Sequence, residues 1–195
     1  MPKFEVQVFE SPEYATHCFQ PVVHLGTTWD LSHLDSFAFK CDLGLGCAIT
    51  VLVMFSCHCF SRSFARDGRV RAEIPSVEIY DDGGEQRVLD PVRYELSKKL
   101  LRDLVVTMGE RPIVVADEKQ PNFMTLQQTN ADGTSSLYAV FFEVEKDRAR
   151  KQRLILRVQS AYLLEKELTK RQRQAKKVAF RTLLRATYEG RKIRP

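Results

Sequence analysis

Short alternating stretches of apolar and polar residues fill the first third of the chain. Phe4, Val6 and Val8 alternate with Glu5, Gln7 and Phe9, which predicts a half-buried strand broken at Ser11-Pro12. Residues 17–25 predict a second strand, interrupted at Pro21. Gly26 and residues 27–34 predict a turn and a short helical segment. Asp30 and Ser32 compete as its N-cap, and Trp29, the single tryptophan, packs beneath it. Residues 36–41 alternate again, with Phe37 and Phe39 on one face, and Gly44 and Gly46 punctuate a turn. Residues 49–60 are almost continuously apolar and rich in β-branched and aromatic side chains, the pattern of a central strand covered on both faces. Residues 61–75 are polar and basic and predict a loop, and 77–80 predict a strand entering the turn Asp81-Asp82-Gly83-Gly84.

The period then changes. Asp90-Pro91 is a helix start, with Asp at the N-cap and Pro first inside. Val92, Leu96, Leu100, Leu104 and Met108 recur every four residues beside Leu101 and Val105, which predicts a packing helix over 91–108 stopped by Gly109. Strands follow at 112–117, 122–128, 136–145 and 153–164. A turn at 130–134 separates the second from the third, and the charged turn at 146–152 joins the last two into a long antiparallel hairpin. Residues 168–188 read as an amphipathic helix, with Ala175, Val178, Ala179, Leu183 and Ala186 near one face and Gly190 at its end. The implied fold class is α+β: a single domain with a twisted, mainly antiparallel sheet, a packing helix at 91–108 and a basic C-terminal helix.

Composition adds a division of charge. The 195 residues are 28% charged and 44% hydrophobic, which excludes a disordered chain, a collagen-like chain and a disulfide mini-protein. The formal charge of +5 hides two halves. Residues 1–145 hold 13 basic against 21 acidic groups, whereas residues 146–195 hold 17 against 4. An acidic body over 1–167 therefore carries a basic helix and tail over 168–195. Five cysteines cannot all pair within the chain, and the start has no charged and apolar leader pattern. The most apolar window, 48–55, is far shorter than the ~20 residues a spanning helix needs. A soluble cytoplasmic protein with reduced thiols, away from membranes, is the expectation.

Four places offer chemistry. In Ser56-Cys57-His58-Cys59, a strand would put both thiols on one face and His58 on the other, too tight a spacing for paired zinc ligands. His58 and Arg62 at the end of a central strand suit phosphodiester chemistry, one moving protons and the other holding a phosphate. His33 is a candidate second proton carrier. Arg157 and Gln159 on one face of the last strand, with Ser160 and Tyr162 on the other and Tyr138 on the partner strand, could line a site on the sheet. The tail concentrates Lys170, Arg171, Arg173, Lys176, Lys177, Arg181, Arg185, Arg191, Lys192 and Arg194 against the single acid Glu189. Such a face suits phosphates, or it lies on the acidic body at Asp81, Asp82 and Glu85. No phosphate-binding glycine loop, HExxH or GxSxG occurs, and no metal or cofactor is assigned.

The order of a strong helix at 91–108 and then four antiparallel strands, with the hairpin LYAVFFEVEKDRARKQRLILRVQSAY, resembles the ribonuclease superfamily of barnase-like, EndoU-like, colicin-type and RelE-like nucleases. The resemblance covers residues 90–164. It implies metal-independent cleavage of RNA, though no catalytic set transfers residue by residue. The whole chain also resembles small bacterial proteins labelled with stationary-phase growth adaptation, which implies a bacterial setting. The function expected is an endoribonuclease or toxin-like nuclease whose acid–base and phosphate-holding groups are His58, Arg62, His33, Arg157 and Tyr162. The alternative is a non-enzymatic module that binds RNA or an acidic protein through the basic tail. A third reading makes the acidic body a mimic of nucleic acid.

Overall fold

The computed structural model describes residues 6–9, 13–14, 16–115, 122–129, 135–165 and 167–193. Phe4, the break at 11–12, the end of the 112–117 strand, the turn at 130–134, Arg194 and the side chain of Arg171 lie outside this description.

Strand β1 (Val6–Phe9) is followed by a small hairpin of β2 (Val22–His24) and β3 (Thr27–Trp29). Leu25 and Gly26 between them both take positive φ, 47° and 80°, the geometry of a two-residue hairpin turn. The expected helical segment is a single 3₁₀ turn over Ser32–Leu34. Neither candidate caps it, because Asp30 instead accepts from the amide and hydroxyl of Ser32 at 2.9 and 3.0 Å.

Strands β4 (Phe37–Asp42) and β5 (Ala48–Phe55) pair antiparallel, and β5 is covered on both faces as its composition predicts. It ends at Phe55, five residues before the apolar run does. The Ser56 hydroxyl accepts from the His58 amide at 3.2 Å and offers the backbone a local alternative to the sheet ladder. A 3₁₀ turn over Cys57–Cys59 results. The following β6 (Ser61–Arg62) joins a different sheet. After the one-turn α1 (Phe64–Asp67), β7 (Ile79–Asp81) and β8 (Gln86–Leu89) form the predicted hairpin, giving the order β6-β8-β7.

Asp90 caps α2 (Pro91–Leu96) by accepting from the amides of Val92 and Arg93 at 3.0 and 3.1 Å. A five-residue π turn over Ser97–Leu101 leads into α3 (Arg102–Val106). That wider turn displaces the predicted stripe. Val92 is 58% exposed, and the buried line is Tyr94, Ser97, Leu101, Leu104, Val105 and Met108. Tyr94 fixes the first half by stacking on Trp29 at 4.4 Å.

The chain continues through β9 (Pro112–Val114), β10 (Asn122–Thr129), β11 (Ser135–Lys146) and β12 (Arg153–Leu163). The long β11–β12 hairpin is present, and β12 also pairs parallel with β5. The C-terminal region is not one helix. It forms α4 (Lys170–Gln174), β13 (Lys177–Ala179) and α5 (Phe180–Glu189). Between 172 and 177 only Ala175 is apolar, so a helix there has little to bury, while the edge of β9 is open to a partner. Val178 pairs with Ile113 on that edge and Phe180 enters the core.

The main sheet runs β1-β4-β5-β12-β11-β10-β9-β13. The protein is α+β, with antiparallel pairing everywhere except β5–β12. The α2–α3 segment and α5 cover one face, and their apolar side chains share a single core with β4, β5, β11 and β12. Phe180 lies 6.5 Å from Phe39 and 6.3 Å from Phe142.

Asp90→Ala removes both the cap of α2 and a carboxylate partner of the buried Arg93, and should cost about 2–4 kcal/mol in urea denaturation. Asp90→Asn keeps the cap and should cost less. Equal losses for the two would show that the charge, not the cap, carries the effect.

Candidate functional site

Arg93 is only 8% exposed, so its charge must be met internally. Its guanidinium donates to the carbonyls of His58 at 3.0 Å and Ser61 at 2.9 Å, and its Nε lies 3.5 Å from Asp90. The Tyr162 ring lies beneath it at 4.5 Å, and Arg66 approaches the same ring at 4.9 Å. These contacts hold the 57–61 turn against the start of α2.

The turn presents Cys57 and His58 side by side. His58 Nε2 is ion-paired with Glu85, and the Cys57 thiol donates to Asp82 at 3.2 Å. Both acids belong to the β7–β8 turn, where Asp82 also accepts from the amides of Gly84 and Glu85 at 2.8 Å. Burial and the neighbouring Asp82 push the Cys57 thiol up to about 12. Asp82 itself is held below its ordinary value by the amides of Glu85 and Gly84 and by the thiol. Cys59 points into the core and is fully buried, which also raises its pKa to about 12.

The predicted catalytic residues do not converge. His33 lies on the other side of α2, with Nε2 2.8 Å from Ser97 Oγ and its ring against Tyr94. Burial lowers its pKa. Arg62 pairs with Asp67 at 2.7 Å and lies 3.8 Å from Asp90. Asp67 is held down to about 2 by Arg69 and Arg62. Arg157 pairs with Glu145 at 3.1 Å.

Tyr162 shares its face with Arg157 and Phe141, contrary to the strand alternation. The register slips between Phe141 and Phe142, leaving Gln159 without a partner and reversing the faces beyond it. Tyr138 lies on the opposite, core face, fully buried and without a hydrogen-bond partner among the described residues. A cleft of about 680 Å³ does bring Arg157 and Gln159 to Cys57, Asp82, His17 and Cys18. Asp82, Glu85 and Arg93 thus do the organising here, and only the acidic glycine turn gave any sequence signal for them.

The second region is the C-terminal face. α5 buries Phe180, Leu183, Leu184 and Ala186 and leaves Arg185 exposed. Arg181 and Arg185, one turn apart, reach the same spot over Gly44 of the β4–β5 turn, where a Cβ would meet their guanidinium nitrogens at 3.1 and 3.9 Å. Arg185 and Arg191 share Glu189, Arg173 pairs with Glu167, and Lys146 lies 5.4 Å from the Tyr188 ring. Lys170, Lys176, Lys177, Arg191 and Lys192 are exposed. Asp81, Asp82 and Glu85 make their ion pairs and hydrogen bonds with residues 57–87, so the tail is not seated on them.

An α+β body with a basic helix docked on one end is the class these features define. The chain belongs to the YjaZ family, whose sequence profile matches residues 21–188. No curated protein and no solved structure matches it. No helix among the described residues is long and apolar enough to cross a membrane.

All five cysteines are free thiols, but only Cys18 is exposed and Cys47 half-buried. Brief iodoacetamide treatment of the folded protein should label Cys18 and Cys47, leaving Cys41, Cys57 and Cys59 unmodified until urea is added. Labelling of Cys57 as fast as Cys18, read by peptide mass spectrometry, would contradict the burial described.

Proposed function

We propose that this protein binds nucleic acid, RNA above all, through the basic face built by β13, α5 and the 191–192 segment. The observation that carries this reading is the pair Arg181 and Arg185, fixed one turn apart on a helix whose other side is anchored in the core. Among the described residues, no carboxylate lies within ion-pair distance of Arg181. Glu189 is the only acid on α5 and is already flanked by two guanidinium groups. An anchored cationic face binds phosphates at little ordering cost, because the helix that carries it is already fixed.

Cleavage is less supported than binding. The proton carriers and cations a ribonuclease would need have internal partners: His58 with Glu85, His33 with Ser97, Arg62 with Asp67 and Arg157 with Glu145. Five free thiols fit a reducing compartment, and the same reading places the binding in the cytoplasm. The resemblance to bacterial stationary-phase proteins makes that cytoplasm a bacterial one.

Removing residues 170–195 would strip an edge strand and the buried Phe180, so point variants are the cleaner test. Arg181→Ala with Arg185→Ala should weaken binding of a fluorescent single-stranded RNA about tenfold near 0.1 M salt. It should also reduce the log–log salt slope by about 2, roughly one per lost phosphate contact. An unchanged slope in anisotropy titrations would reject this face. The RNA should be recovered intact with and without EDTA, and cleavage would restore the nuclease reading.

A further inference from the structure

The 57–58 turn and the β7–β8 turn bring three different donor types to one point. The Cys57 sulfur, a His58 ring nitrogen and a Glu85 carboxylate oxygen all lie within 4.8 Å of one another. They come from segments separated by 27 positions, so the cluster is a product of the fold and not of a local sequence motif. We propose that Cys57, His58 and Glu85 form a binding site for a divalent ion of the zinc class.

The chemistry of the donors selects the ion. Thiolate, imidazole and carboxylate together favour Zn2+ over Mg2+ or Ca2+, which take oxygen shells. A tetrahedral zinc ion with these ligands would place the donor atoms about 3.4–3.6 Å apart, by its usual bond lengths. From a spread within 4.8 Å, closure needs movements on the order of 1 Å, within the reach of the half-exposed His58 and Glu85 side chains.

The surrounding bonds hold the two ligand-bearing segments together. Arg87 donates to the second oxygen of Glu85 at 3.1 Å, and its Nε donates to Ser61 Oγ at 2.9 Å. Ser61 Oγ in turn donates to the Cys57 carbonyl at 2.6 Å. The chain Glu85–Arg87–Ser61–Cys57 thus orients a carboxylate ligand and a thiol ligand toward each other, as outer-shell partners do in metal sites. Three protein ligands leave a fourth position toward solvent on the side where His58 and Glu85 are exposed. Binding exchanges the Cys57 thiol proton, now donated to Asp82, for the metal, and the proton leaves to solvent.

This site stands apart from the basic C-terminal face, and its test is independent of RNA. The full chain, stripped with EDTA under reducing conditions, is titrated with Co2+ and then with Zn2+. One equivalent of Co2+ should give a thiolate-to-cobalt charge-transfer band that Zn2+ abolishes. Cys57→Ser should lose the band and Cys18→Ser should keep it. Glu85→Gln, a surface change whose fold can be checked by circular dichroism, should weaken Zn2+ binding at least tenfold. No cobalt band, a band retained in Cys57→Ser or lost in Cys18→Ser, or unchanged zinc affinity in Glu85→Gln would each overturn the proposal.

Discussion

A buried guanidinium organises this fold. Arg93 carries a full charge at a site with almost no access to water, so it is stable there only if donors find acceptors. It finds them in two carbonyls of the turn that follows β5, and in the carboxylate that caps its own helix. Asp90 therefore serves two roles, ending the exposed amides of α2 and facing the charge that locks α2 to the turn. Everything beyond β5 depends on that lock: the exit of the chain from the main sheet, the small β6-β8-β7 sheet, and the meeting of Cys57 and His58 with the acidic glycine turn.

The opposite end of the molecule follows a simpler logic. The main sheet would end in the short strand β9, and an open edge invites pairing with another chain. The basic tail closes it with β13, whose Lys177 faces outward, and then sinks Phe180 between Phe39 and Phe142. Docking the apolar side of α5 fixes its basic side. The positive charge is thereby concentrated on one anchored surface while the rest of the chain carries net negative charge, so a polyanion is attracted locally and repelled elsewhere.

Much of the fold was legible in the sequence where the period was strong. The cap at Asp90-Pro91, the glycine turn at 83–84, the β11–β12 hairpin and the apolar β5 all follow from residue pattern. The misreadings share a cause, which is a local competitor to the regular period. Ser56 drew the chain off the strand, the π turn at 97–101 shifted the buried stripe, and the extra residue at Gln159 turned Tyr162 to the other face. The tail read as one helix because amphipathic periodicity does not register an open sheet edge elsewhere in the chain. The Cys57–His58–Glu85 cluster was invisible for a similar reason: the strand assumption separated its first two members, and the third arrives through tertiary pairing.

The account rests on the C-terminal face being the contact surface and the 57–62 region being structurally committed elsewhere. Hydrogen–deuterium exchange with and without a single-stranded RNA tests this directly. Added protection should concentrate at residues 177–192 and leave 57–62 unchanged. Protection centred on 57–62 with none at 177–192 would contradict it.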